Sequence, residues 1–69
     1  MDAKEYVFGL IESMPGIRVG ELLARLQRNA GLSLQEALQA IPDPGDKRII
    51  YRGGSDDGYF WPVKKNADL

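Results

Sequence analysis

Through Ile41 the apolar residues recur at intervals of three and four, and after Arg48 the interval shortens to two. The first spacing lines one face of a helix and the second lines one face of a strand, so the chain divides into a helical part and a hairpin. Ala3, Tyr6, Val7, Leu10, Ile11 and Met14 trace the buried face of a first helix. Asp2 and Glu5 open it with capping-box spacing, and Pro15-Gly16 stops it. Val19, Leu22, Leu23, Leu26 and Ala30 trace a second helix, beginning at Val19 or Gly20, with Gly31 placed for a left-handed cap. Ser33 and Glu36 have the spacing of another capping box, and Leu32 is placed to staple onto Ala37. A third helix therefore begins at Ser33 or Leu34, buries Leu34, Ala37, Leu38 and Ile41, and ends at Pro42-Asp43-Pro44-Gly45.

The alternating part consists of Lys47-Arg48-Ile49-Ile50-Tyr51-Arg52 and Tyr59-Phe60-Trp61-Pro62-Val63, joined by Gly53-Gly54-Ser55-Asp56-Asp57-Gly58. Ile49 and Tyr51 share one face and Ile50 and Arg52 the other, while Tyr59, Trp61 and Val63 oppose Phe60 and Pro62. One aromatic or aliphatic set must therefore lie on the outer face. The glycine- and aspartate-rich connection predicts a loose hairpin tip. Ile17-Arg18-Val19 is a short extended link. The expected fold class is α+β, with three helices followed by a two-stranded hairpin in one domain over 1–64 and a frayed tail at 65–69.

A chain of 69 residues buries only ~60% of the surface its unfolded form exposes, which makes a single small core marginally stable. With no cysteine and no histidine it builds neither a disulfide nor a zinc site of the usual type. Ser13, Ser33 and Ser55 have no histidine to activate them, so no enzyme and no cofactor are expected. The mixed charges of residues 1–5 are not those of a signal peptide, and no apolar run is long enough to span a bilayer. A cytoplasmic protein with no membrane partner is the expectation.

The net charge of -1 weighs against non-specific nucleic-acid binding, which relies on cations meeting phosphates. The cations are nonetheless gathered, with Arg18, Arg25 and Arg28 around the second helix and Lys47, Arg48 and Arg52 on the first hairpin strand. Glu21 precedes Arg25 by one turn in the order that favours an ion pair, leaving Arg28 as the better phosphate candidate.

The order helix, short strand, helix, turn, helix and hairpin resembles the winged helix-turn-helix family over about residues 2–63. It is carried by Val19-Gly20-Glu21-Leu22-Leu23-Ala24-Arg25-Leu26, by Ala30-Gly31-Leu32-Ser33 and by the hairpin from Arg48 to Val63. The resemblance implies that the link at 17–19 adds a short third strand to the hairpin, and that the third helix enters the major groove of double-stranded DNA while the hairpin, or wing, reaches the backbone or minor groove. It places Ser33, Gln35, Glu36 and Gln39 at base edges, and Arg28, Lys47, Arg48 and Arg52 on phosphates. Gln35 and Gln39 suit that role because a side-chain amide pairs in bidentate fashion with adenine. A transcriptional regulator, or an accessory factor of a DNA-processing assembly, acting as a dimer or with a partner, is the implied function.

Three features depart from the family pattern. Gln27-Arg28-Asn29-Ala30 lengthens the second helix, the third helix is short and lacks Lys or Arg, and Asp56-Asp57 puts negative charge at the wing tip. They favour a second reading, a protein-interaction module that forms a homodimer or binds a partner. Its interface would be an exposed strip of Ile50, Tyr59, Phe60 and Trp61, with Phe60 as anchor.

Overall fold

A computed structural model describes residues 2–54 and 57–63. Helix α1 (Ala3–Ser13) is capped by Asp2, which accepts from the Lys4 backbone N–H at 3.0 Å rather than from the Glu5 N–H that a capping box uses. Gly16, at φ 86°, turns the chain into strand β1 (Ile17–Arg18). Helix α2 (Val19–Asn29) follows without a break, so Val19 opens a helix instead of completing the expected strand at 17–19. Gly31 takes φ 69°, and the Leu32 N–H reaches back to the Leu26 carbonyl at 3.3 Å. Helix α3 (Leu34–Ala40) has the full capping box: Glu36 N–H donates to Ser33 Oγ at 3.1 Å, and Ser33 N–H donates to Glu36 Oε1 at 2.9 Å.

Strands β2 (Ile49–Arg52) and β3 (Tyr59–Pro62) complete an antiparallel sheet in the order β1-β3-β2. Phe60 on the central strand faces Ile17 on one side and Tyr51 on the other. The inward set of Ile17, Ile49 and Phe60 joins Val7, Ile11, Leu22, Leu26, Ala37 and Ala40 in one core. α1 packs on β3, α2 packs on β1, and α3 packs on both other helices. Three helices and a three-stranded antiparallel sheet make a winged-helix-like α+β arrangement. The expected tail at 65–69 and the tip residues Ser55 and Asp56 lie outside the described residues.

Two expectations about which side chains are buried are corrected. Phe60 is 1% exposed and is the largest fully buried side chain, so it cannot anchor a surface strip. The pairing Ile17↔Phe60 fixes the pleat of β3, which sends Tyr59 and Trp61 outward in its place. On α3 the buried positions are Ala37 and Ala40, while Leu34 and Leu38 are 53% and 52% exposed. Alanine-sized side chains let this short helix lie close against α1 and α2, and the leucines are rolled out to solvent.

Candidate functional site

The residues expected to face DNA are divided among four places. Gln35 and Gln39 are exposed on α3 beside the leucines, whereas Ser33 and Glu36 are engaged with each other at its N-terminus. Arg28 is exposed in the last turn of α2, and Arg25 is held by Glu21 at 2.8 Å as its spacing predicts. Lys47 is exposed in the turn before β2. Arg52 lies on the outer face of the sheet.

Arg48 has structural partners. Its guanidinium lies 3.8 Å from the centroid of the Phe8 ring on α1, and its Nε sits 3.4 Å from Asp46 Oδ1. Its backbone N–H donates to the same carboxylate oxygen at 2.8 Å. That backbone bond, followed by the side-chain bond, holds the Asp46 carboxyl below its ordinary pKa. The contribution to stability is therefore complete above the unfolded-state value and fades as pH falls through the lower folded-state value. Arg48→Ala is expected to cost about 1 kcal/mol, from an exposed cation–π contact and a surface ion pair. Because the backbone N–H survives that change, most of the Asp46 shift should persist in an NMR titration of its carboxyl. A variant of unchanged stability would free Arg48 for a ligand.

The outer sheet face brings together residues from three strands. Tyr59 of β3 pairs with Arg18 of β1 and with Arg52 of β2, and the Arg18 guanidinium lies 4.7 Å from the Tyr59 ring centroid. One step along, Trp61 pairs with Ile50, and the two are 43% and 42% exposed. The indole lies against Gly16, where an added Cβ would come within 3.0 Å of the ring. Thus Ile50, Tyr59 and Trp61 of the predicted interface do share a surface, without Phe60. Sequence reasoning did not assign Arg18 to this face. The available signal was strand alternation, since Ile17 pointing inward sends Arg18 outward.

Among the described residues there is no cluster of three or more potential metal ligands, and no helix is long and apolar enough to cross a membrane. Comparison with family models, curated proteins and solved structures found no match.

Proposed function

We propose that this chain is a cytoplasmic winged-helix protein-interaction module, without catalytic activity, whose α3 docks on a partner protein. One observation carries this reading: Leu34 and Leu38, one turn apart on α3, are each about half exposed. A helix that reads DNA surrounds its base-contacting residues with groups that bond to phosphate, and a leucine pair has nothing to offer there. The charged candidates nearby are weak substitutes, because Glu36 is committed to the cap and Arg48 to Asp46 and Phe8. Covering the exposed halves of two leucines contributes about 2 kcal/mol, or roughly thirtyfold in Kd.

The test is an amide chemical-shift titration with a mixed-sequence DNA duplex at low salt. The α3 resonances are expected to stay in place. Shifts at Ser33, Gln35 and Gln39 that disappear as salt is added would replace this reading with DNA recognition. The docking surface also makes a stability prediction. Leu34→Ala and Leu38→Ala should each lower the unfolding free energy by no more than about 1 kcal/mol, because only about half of each side chain is buried. A loss of about 2 kcal/mol or more in urea denaturation would place them in the core and remove the docking face.

A further inference from the structure

The outer face of the sheet is a second surface, independent of α3, and it has a different chemistry. Its first row is Arg18, Tyr59 and Arg52; its second is Gly16, Trp61 and Ile50. None of these six residues is a carboxylate. Glu21 and Asp57 line the groove beside β1 together with Arg18, and Glu21 is paired with Arg25. A chain of net charge -1 therefore carries one face that is cationic and aromatic together.

We propose that this face binds single-stranded nucleic acid. Trp61 offers an exposed aromatic ring on which a base can stack. At Tyr59 the plane a base meets is the Arg18 guanidinium lying over the phenol ring, and guanidinium planes also stack on bases. Tyr59 and Trp61 are two residues apart on one strand, about 6.7 Å, close to twice the ~3.4 Å rise of a stacked strand, so a moderately extended single strand presents successive bases to both. Arg52 flanks that path and meets one phosphate, and the edge N–H groups of the stacked Arg18 guanidinium meet a second.

The dimensions favour this ligand over a protein. β2 and β3 are four residues long and β1 is two, so with strands ~4.8 Å apart and ~3.4 Å per residue the platform is at most roughly 10 by 14 Å and narrows where β1 ends. That holds about two nucleotides, but it is well short of the ~800 Å² each partner contributes to a standard protein interface. A duplex keeps its base faces stacked inside and cannot use the rings.

Trp61 is the only tryptophan in the chain, so its fluorescence reports on the platform directly. The full chain is titrated at low salt with an oligothymidylate of about eight nucleotides, within the site sizes of single-strand binders. Quenching is expected, with a slope of log K against log salt of about -1.4 for two phosphate contacts on a single strand. Arg52→Ala should reduce the slope to about -0.7. Trp61→Ala, followed by the anisotropy of a labelled strand, should weaken binding roughly 5- to 150-fold, and Trp61→Phe should restore most of it. Circular dichroism should be unchanged in all three variants because the side chains are exposed.

Four results would each overturn the proposal. They are no quenching at low salt, equal affinity for a duplex of matched length, equal affinity for polyglutamate, which would indicate an acidic protein partner, and undiminished binding by a folded Trp61→Ala. Because the α3 leucines take no part, each of these results leaves the proposed docking function to its own test.

Discussion

Phe60→Ala is expected to leave the chain largely unfolded in dilute buffer. Phe60 is 1% exposed on the central strand, between Ile17 and Tyr51, with its ring centroid 5.0 Å from that of Tyr51. Truncating a core phenylalanine costs ~3–5 kcal/mol in lost transfer energy and cavity formation. A single core in a domain of this size rarely supplies more than ~3–5 kcal/mol in total, so the substitution removes most of what holds the fold. Far-UV circular dichroism and urea denaturation provide the measurement. A variant with the wild-type midpoint would return Phe60 to the surface and restore the strip in which it was expected to be the anchor.

That reversal shows which parts of the fold were legible. Strand alternation correctly separated Phe60 from Tyr59 and Trp61, because the two-residue period is a property of the backbone. It did not say which set faces inward. The exposed strip was drawn through all three aromatics, although Tyr59 and Trp61 carry a polar atom that tolerates water and Phe60 carries none. The choice is made by the pairing of β3 with Ile17, a long-range contact to which local periodicity is blind. α3 was legible in part. Of the expected stripe Leu34, Ala37, Leu38 and Ile41, Ala37 is buried and Ile41 packs against the core, but Ala40 replaces the two leucines because close approach to α1 and α2 selects the smaller residues.

The elements set by local chemistry were legible almost to the residue. The Ser33–Glu36 box, the Glu21–Arg25 pair and the left-handed Gly31 each depend on side chains within a few positions of one another. The candidate sites were less legible because they combine residues from distant elements. Arg48 was grouped with Lys47 and Arg52 as one cationic strand, yet its guanidinium turns to Phe8 on α1 while Arg52 stands beside Tyr59. Arg18, forty-one positions before Tyr59 in the chain, becomes its neighbour only when β1 joins the sheet.

Gly58→Ala is expected to cost about 2–3 kcal/mol, at the upper end for overpacking. Gly58 is buried at the start of β3, and a Cβ there would overlap the phenol ring of Tyr51 across the hairpin. Neither side can yield cheaply. The Tyr51 ring is backed by Phe60 and its hydroxyl donates to the Gly54 carbonyl, while the Gly58 carbonyl accepts from the Val19 N–H at 3.0 Å and ties the strand to the first residue of α2. The ring must therefore leave the core margin or the strand must lift from α2. Gly54→Ala is the matched control in the same hairpin, because among the described residues its added Cβ would meet only a side-chain oxygen of Asp57 at 3.6 Å. That variant should stay within about 0.5 kcal/mol of wild type, because Gly54 is not among the positive-φ glycines. Urea midpoints compare the two variants, and the Tyr51 ring proton shifts report whether the phenol has moved. Equal stability of the two, with the Tyr51 resonances unchanged, would mean that the ring does not lie over Gly58.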